Sequence, residues 1–316
     1  MPHIFVKHFS IQMLCRRHGS PRALVALMIM LAVQSAWAGG GWVAEPGEGS
    51  IRMGYNWKSQ PEAQRRDTEG ELYTSLFNMT HDYRFLYLSG ETGIIRGLEG
   101  SYLFTYLWAA ETVDSMSEDP SRHYHGWSDM WLGLKYQLWN GEYPTAISGS
   151  VRLPILYEAS SVRNGQLLTE IPGLMERDWD LNVLVSRSFN SGMYASATLG
   201  YRIKEGAAAN QLLSTAEVGG TLGFTNDIVF VKAGLEGVFS VGESRPTTSK
   251  DRFSGLSLEA GHHFFNFNQA SYIRPQLGLA VKVLPQVDIG IGYSYIVWGY
   301  STVVYQDLLA QVGYSF

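Results

Sequence analysis

Few residues in this chain stand at spacings that could do chemistry. His125-Gly126-Trp127-Ser128 brings together an imidazole and a hydroxyl, the pair that activates a serine nucleophile. A separation of three puts them on opposite faces of a strand, and no His-x-Ser follows residue 38. Asp178-Trp179-Asp180 places two carboxylates on one face, as an aspartyl-type protease would need, but the Asp-x-His partner is missing. His81, His123, His125, His262 and His263 raise the question of metal. Neighbouring histidines diverge on a strand and loop histidines are solvated, so no metal ligand and no cofactor is expected. Gly219-Gly220 and the other glycine pairs lead into no helix and so are not phosphate loops. An enzyme is not expected.

The elements that carry these residues follow from composition. The 316 residues are 45% hydrophobic, 17% charged and 13% aromatic, with 34 glycines and a mean hydropathy of -0.08. This is too apolar and aromatic for a disordered chain. Beyond the N-terminus no stretch approaches the ~18 uninterrupted apolar residues of a membrane helix, which excludes a polytopic helical protein. Residues 1–38 carry Lys7, Arg16, Arg17 and Arg22, an apolar run from Ala23 to Val33, and then Ala36-Trp37-Ala38. That is the pattern of a cleaved secretory signal, leaving 39–316 as the exported domain. The one cysteine, Cys15, lies in this leader, so no disulfide is expected after cleavage. The leader is basic, so removing it makes a chain of net charge -5 more acidic still, a poor partner for nucleic acid.

The remainder alternates with period 2. Ile51, Met53, Tyr55 and Trp57 alternate with Arg52, Gly54, Asn56 and Lys58, and Met130, Leu132, Leu134, Tyr136 and Leu138 follow the same rule. A soluble sandwich would alternate too. These runs, however, are long enough to cross a bilayer when tilted, and their connections alternate in length. Tight turns are expected at 90–93, 140–144, 190–192, 225–227 and 285–286. Long polar connections are expected at 60–71, 114–125, 157–177, 205–214 and 242–271. The chain closes on Leu308, Ala310, Val312, Tyr314 and Phe316, an ending that resembles the signal read by the outer-membrane assembly machinery. The expected fold is all-β, a transmembrane antiparallel up-and-down β-barrel. Twelve strands are placed near 50–58, 81–89, 96–110, 127–139, 145–156, 178–189, 193–204, 215–225, 228–241, 272–284, 287–297 and 306–316. The alternating stretch 253–267 keeps a fourteen-strand barrel open as the alternative. Trp57, Trp108, Trp139, Tyr143 and Phe316 fall near strand ends, where interfacial aromatic girdles belong.

The side opposite the lipid should line the interior. It is read as Arg84, Glu99, Asp129, Lys135, Arg152, Asp180, Arg202, Glu217, Lys232, Glu236, Lys282, Asp288 and Asp307, with Leu86, Leu88, Leu103 and Leu184 as an apolar patch. Both signs are present, which points to a pairing network. Small residues such as Gly133, Ser148, Ser150, Gly219, Gly278 and Gly292 on the same side leave room for a lumen, because twelve strands enclose more than the eight whose side chains just fill a barrel.

The run Gly126-Trp127-Ser128-Asp129 through Gly133-Leu134-Lys135-Tyr136, the exit Val151-Arg152-Leu153-Pro154, and the stretch from Arg274-Pro275-Gln276-Leu277-Gly278-Leu279 through Gly313-Tyr314-Ser315-Phe316 carry a resemblance. They are similar to an outer-membrane family associated with meta-pathway phenol degradation, itself akin in style to long-chain fatty-acid channels. The resemblance implies passage of hydrophobic or aromatic small molecules. Fatty-acid channels carry an N-terminal hatch, for which the stretch 39–49 is too short. The expected function is a passive outer-membrane channel for small molecules. The alternatives are a non-conducting barrel serving secretion or export and, below it, an outer-membrane hydrolase. Expected partners are membrane lipid and lipopolysaccharide, the assembly machinery through Phe316, and a small-molecule solute.

Overall fold

The computed structural model describes residues 40–60, 64–66, 72–74, 80–112, 121–128, 130–153, 177–189, 191–205, 214–241, 271–300 and 302–316. The leader 1–38, the stretch 253–267, and Asp129 lie outside them.

Twelve strand positions form a closed antiparallel ring. In chain order they are β1 (Gly49–Ser59), β4 (Thr80–Ile95), β5 (Leu98–Thr112), β6 with β7 (Ser121–Trp127 and Met130–Trp139), β8 (Thr145–Leu153) and β9 (Arg177–Ser188). There follow β10 (Met193–Glu205), β11 (Thr215–Thr225), β12 (Val229–Ser240), β13 (Ser271–Leu284), β14 with β15 (Val287–Tyr295 and Trp298–Tyr300), and β17 (Gln306–Ser315). Each pairs with its sequence neighbour, and the first meets the last, from Ser50 opposite Ser315 to Ser59 opposite Gln306. Three short strands, β2 (Gln64–Arg66), β3 (Leu72–Thr74) and β16 (Thr302–Val303), make a separate small sheet. The expected twelve strands are thus found. β6 and β7 serve one position: both pair with β5, β6 along Tyr106–Thr112 and β7 along Leu98–Leu103. That strand begins at Ser121, inside the stretch 114–125 expected to be loop.

Closure is what lipid demands, since a bilayer offers no partner to an open sheet edge. The outer face shows the other half of that demand. Leu132, Leu134, Tyr136 and Leu138, then Val218 and Leu222, then Ile289 and Ile291, stand exposed at alternate positions. Between them Glu99, Asp180, Asp288 and Asp307 are buried. An apolar outside and a polar inside is the transmembrane barrel architecture.

Five short turns share one rim with Gly49 and Phe316, at 96–97, 140–144, 189–192, 226–228 and 285–286. The first differs from expectation. Residues 90–93 continue β4, and the turn comes at Arg96-Gly97, where Gly97 holds φ +80°, a left-handed conformation that costs glycine little. Trp139, Tyr143 and Phe316 stand exposed at this rim, and Trp57 and Trp108 toward the opposite one.

Candidate functional site in the barrel lumen

Directly opposed residues of an antiparallel pair share a face, so the strand registers sort every side chain to lipid or to lumen. One inner row runs Arg52, Ser89, Leu103, Trp131, Arg152 and Asp178 across β1, β4, β5, β7, β8 and β9. The next runs Glu91, Ser101, Gly133, Ser150, Asp180 and Arg202. Of the residues expected inside, Glu99, Lys135, Arg152, Asp180, Arg202, Glu217, Lys232, Glu236, Lys282, Asp288 and Asp307 fall on this inner side. Leu103 and Leu184 do as well.

Arg84 does not. It lies opposite Trp57 on β1 and Trp108 on β5, both exposed, and its own side chain is 57% exposed beside Asp82 at 3.1 Å. Leu86 and Leu88 share that outward face, so Tyr83, Phe85, Tyr87 and Ser89 are the inward residues of β4. Both faces of this strand are rich in large apolar side chains. Alternation alone therefore could not choose between them, and pairing with β1 did.

Many of the interior charges form ion pairs. Lys135 Nζ meets Glu99 at 2.8 Å, and Arg152 Nη2 meets Asp178 at 2.7 Å. Arg202 bridges Asp180 at 2.6 Å and Glu217 at 3.0 Å. Arg274 bridges Glu236 at 2.6 Å and Asp307 at 3.1 Å, and Asp307 also accepts from Ser294 at 3.0 Å. Arg52 stands 3.5 Å from Glu91. The indole of Trp131 has the guanidinium carbons of Arg152 and Arg202 at 5.6 Å and 5.4 Å, so the cations are held by a ring as well as by carboxylates. Arg52, Glu91, Asp178 and Arg274 were not among the residues expected inside. Their signal was present, because each occupies the polar phase of an alternating strand.

Asp178 and Asp180 do share a face, as the Asp-Trp-Asp spacing requires. Each is engaged by an arginine, which makes them ion-pair partners. His125 faces outward opposite Trp108, with Nδ1 3.0 Å from the Tyr106 hydroxyl, while Ser128 is tied through its backbone to Thr105. Among the described residues no cluster of histidine, cysteine and carboxylate could hold a metal.

The residues before β1 also enter the site. Gly41 donates to Ser186 Oγ at 2.7 Å and accepts from Gln137 Nε2 at 3.0 Å; Ala44 donates to Glu99 Oε2 at 2.9 Å. Trp42 packs edge-on to Tyr194 at 6.2 Å, and Tyr194 stacks on Phe230 at 5.7 Å. Ser186, Gln137, Glu99 and Tyr194 are all inward residues near the short-turn rim, so this segment lies inside the barrel floor. The stretch expected to be too short for a hatch nonetheless reaches the interior. The segment then turns at Glu45–Glu48, where the Glu48 N–H donates to the Glu45 carbonyl at 2.9 Å, and leads into β1. Gly41 makes the approach possible, since a Cβ there would collide with the backbone of Pro144. Against the wall lies a cavity of about 310 Å³ lined by Arg52, Ser89, Glu91, Ser101, Trp131 and Ser150.

No protein-family model matches the chain, and no curated protein does. Solved structures do. The translocator domain of autotransporter NalP from Neisseria meningitidis is 10% identical over 86% of this chain and 90% of its own, with a TM-score of 0.48. An outer membrane channel from Pseudomonas putida F1 is 12% identical over 87% of this chain and 98% of its own, with a TM-score of 0.59, a likeness that shows a shared barrel fold.

Proposed function

We propose that this protein is a passive channel of the outer membrane, admitting small molecules that include apolar and aromatic ones. The observation that carries the reading is a closed twelve-position ring whose inner face carries small residues and a series of ion pairs beside a cavity. Such a wall offers a solute no strongly charged barrier, and Phe85, Leu103, Leu107 and Leu184 add apolar surface to it. The size of the cavity, about 310 Å³, suits a single-ring solute. The likeness in fold to an outer membrane channel supports the barrel architecture that the reading needs. No reaction is assigned to the barrel.

In this reading residues 1–38 are an export signal removed on secretion, Phe316 ends the strand that the assembly machinery reads, and the exposed belt meets lipid and lipopolysaccharide. Purified protein in planar bilayers tests it. Discrete conductance steps and swelling of liposomes in small solutes are expected; silence at all voltages with no swelling overturns it in favour of a non-conducting barrel.

A further inference from the structure

The short-turn rim carries a charged cluster that faces away from the lumen. Along β9 the outward phase runs Trp179, Leu181, Val183 and Val185, and then Arg187. Arg187 thus interrupts the apolar phase at the short-turn rim, between Val185 and the exposed Phe189. Its guanidinium carbon lies 4.9 Å from the Tyr143 ring centroid and 5.2 Å from that of Phe189. Nη1 donates to the Tyr143 hydroxyl at 2.6 Å and Nη2 to Glu142 Oε1 at 2.5 Å. The aromatic pair and the two bonds hold the guanidinium in place, yet its side chain is 39% exposed and that of Glu142 65%. An arginine has five N–H donors in a fixed fork, so this geometry leaves several of them facing outward beside a carboxylate with an unshared oxygen. Tyr143, which holds the pair, and Trp139 on the same rim are both exposed, as interfacial aromatics are.

What lies against an outward face of a transmembrane barrel is lipid, and the charge pattern chooses among headgroups. We propose that Arg187 and Glu142 form a binding site for a zwitterionic phosphoethanolamine headgroup in the leaflet next to the short turns. The phosphate accepts from the free edge of the Arg187 guanidinium, and the ammonium donates to Glu142. A headgroup that carries only the phosphate gains the first contact and meets the Glu142 carboxylate as a like charge. Position and preference therefore come from two different residues.

Delipidated full-length protein, titrated in detergent with phosphatidylethanolamine or phosphatidylglycerol of matched acyl chains and read by native mass spectrometry, tests the site. The parent is expected to hold phosphatidylethanolamine at least about fivefold more tightly. Arg187→Gln should lose most binding of both lipids, whereas Glu142→Gln should keep binding and lose the preference. Arg84→Gln, at the opposite rim, should change neither. Heat-modifiable gel mobility shows that each variant is folded. Equal or tighter binding of phosphatidylglycerol by the parent, or parental phosphatidylethanolamine binding in folded Arg187→Gln, overturns the proposal whether or not the barrel conducts.

Discussion

Arg152 and Asp178 stand directly opposite each other on β8 and β9, Nη2 to Oδ2 at 2.7 Å, with side chains only 9% and 1% exposed. A pair so enclosed is costly to break, because the survivor keeps its burial and loses its counter-charge. Asp178→Asn or Arg152→Leu should each destabilise the barrel by about 3–5 kcal/mol, measured by urea unfolding in lipid vesicles. The double variant with leucine at both positions should recover most of that loss. Additive losses would show that the two do not act as a pair.

Arg274 on β13 neutralises two carboxylates of the inner wall, Glu236 on the adjacent β12 and Asp307 on β17, one strand beyond β14. Replacing it with alanine exposes both to the lumen and makes that wall more negative. The cation-to-anion permeability ratio should rise by about threefold, since charged linings set ion selectivity. Reversal potentials under a potassium chloride gradient measure this, and a shift toward chloride would contradict the placement of Arg274.

The segment on the barrel floor rests on the fit of Gly41 against Pro144. Gly41→Val cannot keep that approach, so the segment should leave its site while the ring stays closed. Conductance should rise by about twofold or more, because pore width governs flow. Trp42 should lose its packing against Tyr194, and its fluorescence should shift to longer wavelength in step. Unchanged conductance with a shifted Trp42 would mean that the segment does not obstruct the path.

Leu134 is exposed on the outer face midway along β7. An arginine there must sit in hydrocarbon, and Leu134→Arg should cost about 2–4 kcal/mol. Arg84 shares the outward face yet lies near the rim beside Asp82, so removing it should change stability by about 1 kcal/mol or less. Comparing the two unfolding midpoints in vesicles checks whether depth in the membrane is what separates them.

Alternation along single strands, read without any structure, was enough for the architecture. Runs such as 130–138 and 287–295 carry apolar residues in one phase and small or charged ones in the other, and two solvents on two faces leave little choice but a closed ring. The same phase puts Glu99, Lys135, Asp180 and Arg202 on the side that the strand registers turn inward. It failed at β4, where Tyr83, Phe85 and Tyr87 rival Leu86 and Leu88 in bulk. A strand with two apolar faces has no preferred phase of its own, so only pairing with β1 could turn Arg84 outward and Ser89 inward. Charges pair across strands, and the entry of Gly41 and Trp42 beneath Ser186 and Tyr194 joins residues more than 140 positions apart. Such contacts have no period for a linear reading to find. They exist because ring closure brings the inner faces of distant strands around one shared space, and that is the part only the tertiary structure decided.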